Sequence, residues 1–267
     1  MEKKKLVKKM NNKNSFIFLT NDDGFKSLGL KYLKKVVKKI SNNIWVFAPA
    51  KNQSAKSHSI TINKNINIRM VNNKEYIING TPSDCVILGL EKIKNCKKEN
   101  LLLISGINEG VNLGYDLLYS GTVAAAREGA LNNMKSIAIS IDKTEKKINW
   151  NALEFFAPKI IDKYRKIKLT NNYFLNVNFP SAEIKQVKGI KIVDSSNRKP
   201  GKLRKVDKNN YIMSSNRKIL RNARNNEDEF ELRQGFITIT IHEKSNLKIK
   251  NKEILEFKKL FRKSLEQ

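Results

Sequence analysis

The sequence predicts an α/β fold, a mostly parallel sheet flanked by helices. Three observations carry that prediction. Short apolar, β-rich runs recur up to about residue 180. Segments with apolar residues at helical spacing separate them. Polar, glycine-bearing stretches follow the strand-like runs, as the loops of a strand–helix repeat do.

SFIFLT (15–20) reads as the first strand, and Leu30, Leu33, Val37 and Ile40 mark a helix after it. IWVFAP (44–49) is a second buried strand. Residues 60–70 alternate apolar and polar, and EYIING (75–80) follows, so a hairpin excursion is expected there. Thr81-Pro82-Ser83-Asp84 has the form of a helix start: a Thr cap, Pro at the first helical position and an acid three residues after the cap. LLLIS (101–105) is the third core strand, followed by a Gly/Asn-rich loop (106–119) and a helix, SGTVAAAREGAL (120–131). SIAISI (136–141) is a fourth strand. Trp150, Leu153, Ala157, Ile160, Ile161 and Tyr164 mark a helix with a kink expected at Pro158. YFLNVNFP (173–180) is a fifth strand.

The rhythm then changes. GIKIV (189–193) and GFITITI (235–241) read as antiparallel strands around a basic polar stretch that ends near residue 226. Ile254, Phe257, Leu260 and Phe261 suggest a closing amphipathic helix. The expected organisation is a basic leader (1–14), a main domain (15–180) and an extension (181–267) that packs on a partner subunit.

The chain's 267 residues suit one large α/β domain with an appendage. No apolar run is long enough to span a bilayer. MEKKKLVKKMNNKN is basic but lacks the apolar segment of a secretory signal, and Met10 is an alternative start. Cys85 and Cys96 form neither a disulfide framework nor a metal-type spacing, which points to a reduced, cytoplasmic protein. The net charge of +28 invites a nucleic-acid reading. However, lysine far outnumbers arginine and accompanies Asn and Ile, as A/T-rich codons dictate, and the aromatics are not interleaved with the basic runs. No specific nucleic-acid partner is expected. A basic surface still steers a phosphorylated substrate.

In a parallel sheet, ligands bind outside the C-terminal ends of the strands. TNDDG (20–24), APAKNQSAKSHS (48–59) and SGINEGVNLG (105–114) should therefore meet at one edge. They bring the carboxylates of Asp22 and Asp23, the Ser54 hydroxyl and the Asn108 amide carbonyl. Such hard oxygen donors suit Mg²⁺ or Mn²⁺ better than Zn²⁺, and a divalent cation explains two adjacent acids. A solvated acidic turn explains them too. Gly106, Gly110, Gly114 and Gly121 permit close backbone approach to a ligand, and Ser120-Gly121-Thr122 opens a helix whose N-terminus suits an anion. A loop that merely joins strand to helix is the competing reading. His58 is an acid/base or a loop hydrogen-bonder, Asp116 orients the glycine loop or caps a turn, and Gly80 and Thr81 line the site or start a helix. Arg127 and Glu128 read as an intrahelical or surface pair.

LTNDDG, AP…NQS…HSIT, NGTPSDC, SGINEGVNLGYDLLYSGTVAAAREGA and NVNFP, in this order, resemble the SurE family of 5′-nucleotidases across roughly residues 15–180. The resemblance implies a metal-dependent phosphomonoesterase acting on nucleoside monophosphates. It implies a Rossmann-like α/β domain whose C-terminal extension exchanges between subunits of a homodimer or homotetramer. It assigns one cation per subunit to Asp22, Asp23, Ser54 and Asn108. A metal-assisted in-line displacement then leaves either Asp22 or Asp23 to take the proton of the attacking water, and the sequence does not choose between them. The phosphate pocket falls on Gly106, Asn112 and the Ser120-Gly121-Thr122 helix start. Gln53 departs from a basic residue common in the family, Arg127 from an apolar one, and residues 194–226 are unusually basic.

Overall fold

The computed structural model describes residues 16–93, 101–143, 147–167, 172–198, 201, 203–213 and 224–245. The leader, Cys96 and the expected closing helix lie outside them.

Nine strands form one sheet in the order β3-β4-β2-β1-β5-β6-β7-β11-β8. These are β1 (Phe16–Thr20), β2 (Ile44–Pro49), β3 (Ile68–Asn72), β4 (Glu75–Ile78), β5 (Leu101–Glu109), β6 (Lys135–Ile141), β7 (Tyr173–Phe179), β8 (Gly189–Ile192) and β11 (Phe236–Glu243). The strands from β4 to β7 are parallel neighbours, β3 runs antiparallel to β4, and β11 runs antiparallel to β7. A separate two-stranded ribbon joins β9 (Leu203–Lys205) to β10 (Tyr211–Met213).

Among the described residues, four helices cover the sheet. α1 (Leu28–Val37) and α4 (Asn151–Lys166) bury Leu30, Leu33, Leu153 and Ile161 in one cluster with Ile17, Leu19, Leu102 and Ile104. α2 (Pro82–Lys92) and α3 (Gly121–Leu131) bury Val86, Val123 and Ala126 in the opposite cluster with Phe18, Leu101 and Leu103. Alternate residues of β1 and β5 thus serve opposite faces. Both faces are covered, so these strands read as unbroken apolar runs. α5 (Asp228–Arg233) is a short helix just before β11.

Local side-chain caps start α1, α2 and α3. Ser27 caps α1 by accepting the Leu30 N–H. The predicted start of α2 is a full capping box: the Thr81 hydroxyl accepts the Asp84 N–H at 3.1 Å and Asp84 accepts the Thr81 N–H at 2.8 Å. α4 continues unbroken across the buried Pro158.

The structure corrects several sequence expectations. Strand β3 begins at Ile68, not Ile60, because the backbone and hydroxyl of Thr61 are drawn to the Asp84 carboxylate at the α2 cap. The hairpin is no excursion, since β4 pairs with β2 and extends the main sheet. β5 runs on through Gly106 to Glu109, with an irregularity against β6 between Gly106 and Asn108. β8 and β11 pair parallel to each other and complete the same sheet.

His242 near the end of β11 lies against the Phe174 ring, with Arg127 over that same ring. Burial and then the Arg127 charge lower its pKa to about 4. An unfolded histidine titrates near ~6.5, so the unfolded chain takes up the proton first as pH falls. The stability from a neutral His242 is complete above that pH and is lost between it and about 4, at most about 3 kcal/mol. Denaturant titrations from pH 7 to 4.5 should therefore give a shallower pH slope for His242→Gln than for wild type. Equal slopes would contradict this.

Candidate active site

Strand order reverses between β1 and β5: β2 and β4 lie to one side of β1, while β6 and β7 lie beyond β5. In open α/β sheets such a switch point leaves a crevice at the strand ends. Asp22 and Asp23 leave β1 there, and Asn108 and Glu109 end β5 beside them.

Asp22 is 4% exposed and packs on the start of α3. The Thr122 hydroxyl donates to its Oδ1 at 2.5 Å. A Cβ on Gly121 would lie 2.9 Å from the Asp22 Cβ, so glycine is the residue that lets the helix start this close. Burial raises the Asp22 pKa, while the Thr122 hydroxyl and the backbone amides of Thr122 and Gly121 oppose the rise. The helix start predicted to face an anion thus faces the Asp22 carboxylate.

Asp23 is half-buried. Its pKa is raised to about 6, first by burial and then by the negative charges of Asp22 and Glu109. The Glu109 N–H lies 3.4 Å from Asp23 Oδ2, and Asn52 Nδ2 lies 3.4 Å from Oδ1. Asn21 shapes the turn, with Nδ2 donating to Gly24 O at 2.9 Å and to Ser27 Oγ at 2.8 Å.

The loop after β2 closes over this pair. The Gln53 N–H donates to the Asp22 carbonyl at 2.7 Å. Ser54, the next residue, is exposed, and its N–H donates to Asn52 Oδ1 at 2.8 Å. Asn108 Nδ2 donates to Gly110 O at 2.7 Å, leaving its amide oxygen as the donor atom for a cation. The three strand exits predicted to meet do meet.

Other candidates take structural contacts. Asn112 is buried, and its Nδ2 donates to Ser140 Oγ at 2.9 Å. Its backbone is held by the amides of Asn176 and Asn178. Gly106 lies inside β5, where a Cβ would sit 2.3 Å from the Ile139 carbonyl. Ser120 caps α3 through the Val123 N–H. Asp116 accepts the Leu113 N–H at 3.3 Å. Arg127 and Glu128 do not pair as expected. Arg127 covers Phe174 and Glu128 meets His58.

Two participants escaped sequence reasoning. Glu109 stands beside Asn108 at the end of β5, and its place in the SGINEG stretch is a usable signal. Asp228 carries no such signal. It is fully buried, and its carboxylate accepts the Gly114 and Ser196 N–H groups, each at 3.0 Å, tying residues beyond 190 to the glycine loop.

Among the described residues no three His, Cys, Asp or Glu side chains group as a metal site. What converges is a pair of carboxylates with hydroxyl- and amide-bearing neighbours. Such an oxygen set fits Mg²⁺ or Mn²⁺: burial raises the pKa of both carboxylates, and at Asp23 the charges of Asp22 and Glu109 add to the rise, a repulsion that a cation offsets.

A model of the family described as survival protein SurE matches residues 17–202. The chain belongs to the SurE family. A protein named 5′-nucleotidase SurE from Paramagnetospirillum magneticum is 40% identical over 186 residues, covering 69% of this chain and 71% of that one. A 5′-nucleotidase SurE from Wolbachia pipientis wMel is 37% identical over 227 residues, covering 84% and 88%. The crystal structure of the SurE protein from Aquifex aeolicus superposes with a TM-score of 0.80 at 30% identity, covering 92% of this chain and 99% of that one. The SurE resemblance drawn from the five motifs is thereby established, and so is the α/β fold.

Proposed function

We propose that this SurE-family chain is a divalent-cation-dependent 5′-nucleotidase that hydrolyses nucleoside 5′-monophosphates to nucleoside and inorganic phosphate. The observation that carries the reading is the Asp22–Asp23 pair at the sheet's switch point, one carboxylate buried and fixed by Thr122 and the other half-buried at the crevice. Asp22, Asp23, Ser54 and Asn108 hold one Mg²⁺ or Mn²⁺. When bound, the cation supplies Lewis-acid charge against the phosphate ester.

The chain's own groups do the rest. Thr122 orients Asp22, and α3 directs its positive dipole end at the same place. The Ser120-Gly121-Thr122 turn forms the wall against which the phosphate rests, while Gly106, packed on the Ile139 carbonyl, and Asn112, bonded to Ser140, brace β5 and the glycine loop. Hydrogen-bond donors placed where charge develops lower the barrier to in-line attack by water. Asp23 accepts the proton of that water, since Asp22 is buried and engaged with Thr122.

The extension from residue 181 onward pairs with a second copy in a homodimer or homotetramer. Leu203, Tyr211, Ile212 and Met213 of the β9–β10 ribbon are all exposed, which supports that reading. No helix among the described residues is long and apolar enough to cross a membrane. Cys85 is a free, buried thiol, in keeping with a reducing cytoplasm.

The test is phosphate release from a panel of nucleoside monophosphates with Mg²⁺, with Mn²⁺ and with chelator. Release should require the cation and return when it is restored. Turnover undiminished by chelation would reject the metal-dependent reading.

A further inference from the structure

Ser54 sits on a loop tied to the Asp22 backbone on one side by the Gln53 N–H and strained on the other. Ala55 and Ser57 adopt φ of 57° and 55°, a left-handed conformation that costs a residue with a Cβ about 1–2 kcal/mol. The conformation persists only where surrounding contacts impose it. Those contacts come largely from the segment that leads into α3 and from α3 itself. Ser57 donates its hydroxyl to Leu118 O at 2.6 Å and its N–H to Tyr119 O at 3.0 Å. His58 Nε2 meets Glu128 Oε2 at 2.8 Å, with side chains 24% and 13% exposed. The other Glu128 oxygen accepts Asn132 Nδ2 at 2.9 Å, so the carboxylate is held before His58 reaches it.

α3 is also the helix whose first turn fixes Asp22 through Thr122. Glu128 lies about 10 Å further along the same rigid element. The carboxylate pair and the Ser54 loop are therefore both referenced to one helix, at two points.

We infer that His58 and Glu128 are positioning residues for the cation: their contact sets the Ser54 loop at a fixed place relative to Asp22. The inference rests on the proposal that Ser54 is a ligand. Neither residue touches substrate. They act as outer partners do in metal sites, by removing the freedom of a ligand rather than by donating to the ion.

The test is calorimetric titration of Mn²⁺ into the metal-free full-length chain, which reads the cation directly and not turnover. His58→Ala should weaken Mn²⁺ binding about tenfold, and Glu128→Ala by the same factor. The double variant should be no weaker than either single one, because both remove a single contact. His58→Gln should recover binding to within about threefold of wild type, since its amide N–H reaches the same carboxylate. Thermal melts report whether each variant is folded, and Glu128→Ala, at a half-buried position, decides the matter if His58→Ala does not fold. Mn²⁺ bound as tightly by both alanine variants as by wild type overturns the inference, as does an additive double variant. A wild-type chain that binds no Mn²⁺, or an Asp22→Asn variant that binds it equally well, overturns the proposed function instead.

Discussion

Asp22→Asn is expected to cut phosphate release by about a thousandfold while leaving the metal-free chain at least as resistant to heat as wild type. The two effects have separate causes. A buried ligand that stabilises transition-state charge is worth several kcal/mol, and about 4 kcal/mol corresponds to that factor. In the folded, metal-free chain the same carboxylate is penalised. Burial lifts its pKa, and its charge lifts that of Asp23 in turn. Groups whose folded pKa exceeds the unfolded value oppose folding once pH rises above both. An asparagine keeps an oxygen for the Thr122 hydroxyl and removes the charge. Initial rates at saturating Mn²⁺ and melting curves in chelator check both halves. A variant with near-wild-type turnover, or one that melts well below wild type in chelator, would contradict this account. The site is then a case in which catalytic chemistry is held against the preference of the fold.

Gly29→Ala should destabilise the chain by about 2 kcal/mol, against the sign that helix propensity predicts. Alanine in place of glycine inside a helix is ordinarily favourable by about 1 kcal/mol. Here a Cβ would lie 1.9 Å from the Ile107 carbonyl oxygen. That carbonyl belongs to β5 and has little room to retreat, since Ile107 is fully buried. Overpacking of this kind costs up to about 3 kcal/mol, so it outweighs the propensity gain. α1 cannot simply move away, because Leu30 and Leu33 are seated in the core beside it. Ile107 precedes Asn108, so the same push displaces a proposed ligand. Urea denaturation measures the stability change, and Mn²⁺ affinity measures the displacement. A variant as stable as wild type would show that α1 and β5 separate at little cost.

The features legible in the sequence are those written in neighbouring residues. Five apolar runs became five parallel strands because both faces of the sheet are covered, and the Thr81–Asp84 cap is entirely local. The meeting of the 20–24, 48–59 and 105–114 segments was also readable, because a parallel sheet puts all strand ends of one polarity on the same edge. Contacts between distant residues were hidden. Nothing near Gly114 announces that Asp228 will accept its N–H, and nothing in Glu128 announces His58. The alternation through residues 60–67 promised strand, yet a side chain from α2 claimed Thr61 first. The family resemblance places Asn112 in the phosphate pocket, while its side-chain amide donates to Ser140. The buried amides of Asn176 and Asn178, which reach Asn112 from a strand more than sixty residues away, could not be inferred from local pattern.

β11 has a consequence for how the chain assembles during synthesis. It fills the gap between β7 and β8, although β8 ends at Ile192 and β11 begins only at Phe236. Until the ribosome has released β11, β7 ends the growing sheet with open backbone groups and β8 has no neighbour to join. A message truncated before residue 236 therefore yields a sticky, half-finished sheet even though every proposed ligand has already been translated.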